Sequence, residues 1–362
     1  MCPRGYDIPI LLYHKVALTP PPGNAVWVSS ELFARQMAAL SACGYVTVSF
    51  QDYLAYRAGT AEPPPHPVIL TFDDGYESLY TTARPVLDRY GYKATAFLAT
   101  GYIGSTERMD NQWDPSEAQH AVPMLLWSEV AAMAADGHAF GSHTRRHPYL
   151  TATNEDRARQ EIEESAVALR AHLGAAPQVF AYPFGDGAGI PRIEALVQQA
   201  GYAAAVSTLP GVANTLASPI WALPRLRITE ADTPGPGGSF LRRLGCHAPL
   251  PPADAELGGA PETDPWRELV LSNRCPHQVA GYQASEAGGS EASLLVSHPA
   301  RQQALQLNPS AAVIWGLCDG QRTVAEMAGL LREAYPDQAA AIDADVLQAL
   351  LALTEYGAIE WT

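Results

Sequence analysis

From about Ile8 to Leu244 the chain repeats one unit, a short apolar run followed by a segment of helical length. PILLYH is followed by SSELFARQMAALSACG, VILTF by YTTARPVLDRYG, AFGSH by NEDRARQEIEESAVALRAHLG, and VFAYPFG by IPRIEALVQQAG. Short strands alternating with helices read as β-α units around a parallel sheet. Helix boundaries are marked too. Ser30 stands before ELF, and Gly44, Gly137 and Gly201 follow the end of an apolar periodicity. The number of units predicts a closed or nearly closed barrel, with an open doubly wound sheet as the alternative.

Length and charge set limits on what the chain does. Its 362 residues suffice for two domains and at least one sizeable core. A net charge of −15 repels phosphates over most of the surface, so nucleic acid is not an expected partner. No apolar stretch approaches the length needed to span a membrane, and the run Ile8 to Tyr13 is too short for the core of a secretion signal. Cys2, Cys43, Cys246, Cys275 and Cys318 are scattered and odd in number, which predicts neither a disulfide framework nor a cysteine zinc site. These features together predict a cytoplasmic protein.

The patterning lapses between 246 and 265, where CHAPLPPADAELGGAPETDP has no periodicity and reads as a linker. The expected organisation is therefore a barrel over 1–245, a linker over 246–265 and a small α+β domain over 266–362. In the last of these, PHQVAGYQAS, ASLLVSHP and QALQLN read as strands. Asn308 and Pro309 open one helix, Thr323 and Glu326 form a capping box for a second, Asp343 caps a third that Gly357 ends, and AIEW returns as a strand.

Chemistry-bearing residues cluster at the ends of the apolar runs. VILTFDDGY delivers Asp73 and Asp74 where a strand stops, and in parallel α/β structures that end faces the active site. Adjacent residues on extended backbone point in different directions, so one aspartate can ligate a metal while the other handles protons. The plain alternative is a solvated DDG turn. FGSHTRRHPYL places His143 and His147 four apart, a spacing from which two imidazoles reach one cation, or are simply two surface histidines beside Arg145 and Arg146. A carboxylate with two histidines makes a three-ligand set for a catalytic divalent metal. Thr144 follows His143, which disfavours an HExxH protease helix. In FAYPFGDG, Pro183 ends a strand and can aim the Phe184 N–H into a site. His14, in LLYHKV, ends another apolar run, where a lone histidine is more often structural than functional.

Taken together, TFDDG, SHTRRH and YPFG resemble the NodB-type polysaccharide deacetylases, carbohydrate esterase family 4, over about Ile8 to Arg227. YHKV and LPRLRI resemble the branch that deacetylates poly-N-acetylglucosamine, which is circularly permuted and so carries its catalytic histidine near the N-terminus. The resemblance implies a distorted (β/α)7 barrel and a divalent metal, most often Zn2+. It implies that Asp74, His143 and His147 hold the metal, that Asp73 is the general base, that His14 is the general acid and that the Phe184 N–H helps bind the oxyanion. One departure stands out. Many members place an arginine just before the P-Y/F-G motif to orient the base, and VFAYPFG has none; Arg225 is the candidate substitute. Trp221 or Leu223 is a candidate wall for an acetyl methyl group, with ordinary core packing as the equal alternative.

The last 90 or so residues, with LNPSAAVIWGLCDGQRTVAE, resemble PqqD, a winged-helix-like module that binds leader peptides in pathways to modified ribosomal peptides. The leading expectation is removal of an N-acetyl group from an amino sugar or glycan-like substrate. A second is an amide or ester hydrolase on a modified peptide, metabolite or carrier-bound intermediate recruited by the tail. A third is a non-catalytic binding protein.

Overall fold

The computed structural model describes residues 5–18, 20, 26–105, 109, 123–234, 239–244, 275–280, 282–287, 293–298, 303–307, 309–336, 342, 346, 349–350, 353 and 358–361. Two compact units divide the chain, Met1–Gly259 and Ala260–Thr362.

Seven parallel strands form the first unit's centre: β1 (Ile10–Tyr13), β2 (Pro67–Phe72), β3 (Ala94–Leu98), β4 (Ala139–Ser142), β5 (Val179–Ala181), β6 (Ala204–Pro210) and β7 (Leu223–Arg227). They follow chain order around the sheet, β7 pairs with β1, and β1 pairs with β2, so the sheet is a closed barrel. The short strand Val46–Thr47 adds to the side of β2. Helices α1 (Ser30–Ala42) and α2 (Phe50–Ala58) lie between β1 and β2 in the chain. A π-helical turn (Leu79–Ala83) and α3 (Arg84–Arg89) follow β2, α4 (Trp127–Ala135) follows β3, α5 (Glu155–Leu173) follows β4, α6 (Pro191–Gln199) follows β5, and α7 (Phe240–Arg243) follows β7. No described helix joins β6 to β7. That connection carries Ala213–Asn214, which pairs antiparallel with Asp7–Ile8. The barrel is distorted at this point, where the register between β6 and β7 shifts between Val206 and Pro210.

Period-two alternation sorts the side chains. Val68, Leu70 and Phe72 of β2 pack outward in the main core, as do Leu11, Tyr13, Ala94, Ala96 and Leu98. Ile10, Ile69, Phe97, Val179, Val206 and Leu223 pack together in a separate cluster. They fill the barrel, so its interior is packed. Gly141 makes room for this filling: a Cβ there would lie 2.5 Å from the Phe97 ring and 2.7 Å from the Val179 carbonyl oxygen. Trp221 precedes β7 and packs in the cluster under α5 and α6. Leu223 is part of the packed interior, so both residues take part in ordinary core packing. The helix expected to start after Ser30 is capped one residue earlier, by Ser29, whose Oγ accepts from the Leu32 N–H at 3.3 Å.

In the second unit, β8 (Pro276–Gln278) pairs antiparallel with β12 (Ile359–Trp361), and β9 (Gln283–Ala287), β10 (Ser293–His298) and β11 (Gln303–Leu307) form an antiparallel meander. Among the described residues, these strands make two small sheets. Helices α8 (Pro309–Leu317) and α9 (Val324–Ala334) supply Ile314, Trp315, Met327 and Leu331 to a core that includes Leu350 and Leu353. Thr323 and Glu326 form the capping box of α9. Asn308, Asp343, Gly357 and the 246–265 linker lie outside the described residues.

Candidate metal and catalytic site

The alternation that points Ile69 and Thr71 inward continues to Asp73, whose N–H donates to the Tyr13 carbonyl at 3.0 Å. The chain then turns through left-handed conformations at Asp74 (φ 75°) and Gly75 (φ 93°). A Cβ on Gly75 would meet the Ile103 and Leu98 side chains at 2.7 and 2.9 Å, so the turn is closed to larger residues. It sets the two carboxylates at different partners.

Asp74 meets the histidines. Its Oδ1 lies 3.4 Å from His143 Nε2 and 3.2 Å from His147 Nε2, and the two Nε2 atoms are 3.1 Å apart. All three residues are buried. His143 Nδ1 is 2.8 Å from the Ala181 carbonyl oxygen on the neighbouring strand. Nδ1 donates there, which leaves the Nε2 lone pair facing Asp74. Among the described residues, Asp74 Oδ1 and His147 Nδ1 have no hydrogen-bond partner. Electron-rich atoms this close repel unless a cation or proton lies among them, so the donor set fits a divalent metal. Burial alone would raise the Asp74 pKa, but His147 and His143 outweigh it and hold the carboxyl well below its usual value. For His143, burial alone would lower the pKa, but Asp73 and Asp74 raise it.

Asp73 meets Arg225. Arg225 Nη1 and Nη2 donate to Asp73 Oδ1 and Oδ2, each at 2.7 Å, and Arg225 has no exposed surface. The same guanidinium donates to the Ser207 carbonyl at 2.8 Å and to Thr71 Oγ1 at 3.1 Å. Its carbon sits 5.6 Å above the Phe97 ring that fills the barrel. Burial works to raise the Asp73 pKa, yet Arg225 and His143 bring it below the ordinary value. The fork geometry is bidentate and fixes the carboxylate plane.

His14 is half-buried just beyond β1, next to the strand that carries the aspartates. Loss of solvation pushes its pKa down to about 4, against the pull of Asp74 and Asp73. Its imidazole is therefore neutral at neutral pH, a different poise from one titrating near 7. Phe184 occupies a short 3-10 turn, Pro183–Gly185, with φ 60°. Its ring centroid is 4.4 Å from that of His147 and stacks on Tyr149 at 4.1 Å. Sequence reasoning missed the Ala181 carbonyl and Thr71. The first is a backbone atom with no side-chain signal; the second is the inward position two before Asp73, which period two points to.

Two family models match this chain: Polysaccharide deacetylase over residues 60–205, and Coenzyme PQQ synthesis protein D (PqqD) over residues 294–359. The chain carries a polysaccharide deacetylase domain and a PqqD domain. The deacetylase match contains Asp73, Asp74, His143, His147 and Phe184, while His14 and Arg225 lie outside it. The chain is similar to the Bacillus subtilis (strain 168) protein YxkH, 28% identical over 66% of this chain and 77% of that one. It is also similar to the poly-β-1,6-N-acetyl-D-glucosamine N-deacetylase of Escherichia coli (strain K12), 26% identical over 56% of this chain but only 34% of that enzyme's length. Among solved structures, the Streptococcus pyogenes deacetylase PplD in complex with acetate aligns with a TM-score of 0.54 at 27% identity, over 64% of this chain and 96% of that one. IcaB from Ammonifex degensii aligns with a TM-score of 0.53 at 24% identity, over 62% and 92%, and shows the shared fold. The (β/α)7 deacetylase barrel is thus the fold of the first unit. Among the described residues, no helix is long and apolar enough to cross a membrane.

Proposed function

We propose that the barrel is a metal-dependent hydrolase that removes an N-acetyl group from an amino sugar or glycan-like substrate. The observation that carries this reading is the convergence of Asp74, His143 and His147 within 3.4 Å of one another beside a carboxylate held by a buried arginine. Asp74, His143 and His147 would hold a divalent cation, which we take to be Zn2+ from the two imidazoles and one carboxylate. When bound, such a cation supplies Lewis-acid chemistry to an acyl carbonyl and to water.

The remaining residues move protons and hold charge. Asp73, ionised and fixed by Arg225, takes a proton from the attacking water; each of its oxygens keeps a lone pair beyond the one bound to Arg225. Carbonyl attack builds negative charge on the acyl oxygen, and the Phe184 N–H is our candidate donor to it. The amine leaves only after protonation. His14, neutral at rest, would take up the proton that Asp73 removes from water and pass it to the leaving nitrogen. The names of the relatives support a polymer of N-acetylglucosamine as the substrate class.

The PqqD match favours a second element in this reading. The C-terminal unit would recruit a peptide or carrier along a sheet edge, since β9 and β11 each pair only with β10 among the described residues. The scattered, odd-numbered cysteines of the sequence favour the cytoplasm as location. Acetate release from β-1,6-linked N-acetylglucosamine oligomers, compared with release from acetylated peptides, tests the substrate class. Turnover of the oligomers alone supports the sugar reading; turnover of acetylated peptides alone replaces it with the peptide reading.

A further inference from the structure

The two histidines sit on a five-residue loop, His143 to His147, that regular secondary structure does not hold. Thr144 and His147 adopt left-handed φ values of 65° and 56°. That region is uncommon for any non-glycine residue and an outlier for a β-branched one. Such backbone persists only where its surroundings over-determine it.

The surroundings are the loop after β3 and the helix α5. Thr100 and Gly101 donate their N–H groups to the Thr144 and Arg145 carbonyls at 3.1 and 2.7 Å. From the other side, the Arg145 N–H donates to the Glu161 carbonyl at 3.1 Å and the Arg146 N–H to Glu161 Oε2 at 2.7 Å. The His147 N–H closes on Thr144 Oγ1 at 3.0 Å. Glu161 therefore receives two successive N–H groups between the ligating histidines, one on its main chain and one on its side chain.

Its position is unusual for a glutamate. Glu161 lies in the buried stripe of α5 with Ala158, Ile162 and Ser165, and is 1% exposed. Glutamate is rarely buried to that degree unless it is paired, and here Arg157 Nη2 lies 2.6 Å from Oε1. An apolar residue would fit the stripe but would leave the Arg146 N–H without its acceptor. We propose that Glu161 is a positioning residue whose carboxylate, by accepting the Arg146 N–H, fixes the loop so that His143 and His147 converge on one cation. This rests on the metal reading of the site.

The test is Zn2+ affinity of the full chain, measured by competition with a chromophoric chelator. Glu161→Met fills the same volume without an acceptor, and we expect roughly 10- to 100-fold weaker binding, the usual effect of losing a group that orients a ligand. Glu161→Gln keeps an amide oxygen that can accept, so its affinity stays closer to wild type. Glu164→Gln is the control, because Glu164 pairs with the Arg145 guanidinium at 2.6 Å and not with the loop backbone; its affinity stays at the wild-type value. A Glu161→Met protein that melts earlier but binds Zn2+ as tightly as wild type overturns the proposal and leaves the metal site standing. A wild-type protein that takes up no Zn2+ overturns both. Hydrogen exchange at the Arg146 amide of the wild-type protein decides the matter if Glu161→Met does not fold. Slow exchange supports the clamp, and exchange at the rate of an open loop contradicts it.

Discussion

Arg225 carries much of the site's rigidity, because its guanidinium binds Asp73 through both nitrogens and has no exposed surface. Removing one partner of a buried pair leaves the other charge unpaired, so Arg225→Met should cost about 3–5 kcal/mol of stability in urea denaturation. Lysine cannot reproduce the fork, and Arg225→Lys should recover only part of that loss. The pair also sets a pH dependence. The Asp73 pKa in the folded protein is below the 3.8 of the free group. A lowered carboxyl pKa contributes stability above the unfolded value and loses it as pH falls through the folded one. The stability gap between wild type and Asp73→Asn should therefore be constant at neutral pH and shrink below 3.8. Turnover should respond differently from metal content. Asp73→Asn removes a proton acceptor and no ligand, so Zn2+ uptake should persist while the rate falls roughly 100- to 10,000-fold. Unimpaired acetate release by that variant would remove Asp73 from the mechanism. His14→Ala should likewise spare metal uptake and change the pH–rate profile, and an unaltered profile would exclude a proton-transfer role.

The strands set these residues in register. Ile69, Thr71 and Asp73 take successive inward positions of β2 and its extension, and Arg225 reaches across from β7 to bond two of the three. Phe97 supports that arginine from below, and Gly141 makes the space for Phe97. Gly141→Ala should thus cost about 1–3 kcal/mol by overpacking, read as a lower melting temperature, with the strain passed to the ring beneath Arg225. Much of this was legible beforehand. The apolar runs and helix ends fixed the order of the β-α units, and strand ends marked Asp73, Asp74, His143 and Phe184 because the same period and breaker signals operate locally. Closure was expected from the number of units, but the register in which β7 meets β1 was not legible, since those strands lie about 200 residues apart and no local pattern links them. The Arg225 partnership came only as a substitute for a missing arginine, because 152 residues separate it from Asp73 and no local pattern links them. The two-sheet arrangement of the second unit was hidden for the same reason: β8 finds its partner in β12, at the far end of that unit.

At the scale of the whole chain, a deacetylase barrel and a PqqD domain share one polypeptide. Under the recruitment reading, a chain ending at residue 250 should hydrolyse small acetylated substrates at close to the full-length rate and lose its advantage on a larger, peptide- or carrier-linked one. Equal rates of the two forms on every substrate would leave the second domain without a role in recruitment. All of this depends on chemistry at the Asp74, His143 and His147 cluster. The most direct test is acetate release from an N-acetylglucosamine oligomer by the full-length protein, before chelation, after chelation and after Zn2+ is restored, with His143→Ala treated in parallel. A metal-dependent deacetylase loses activity on chelation and regains it with Zn2+, while His143→Ala regains little or none; acetate release that is indifferent to the chelator, or equally restored in His143→Ala, would contradict it.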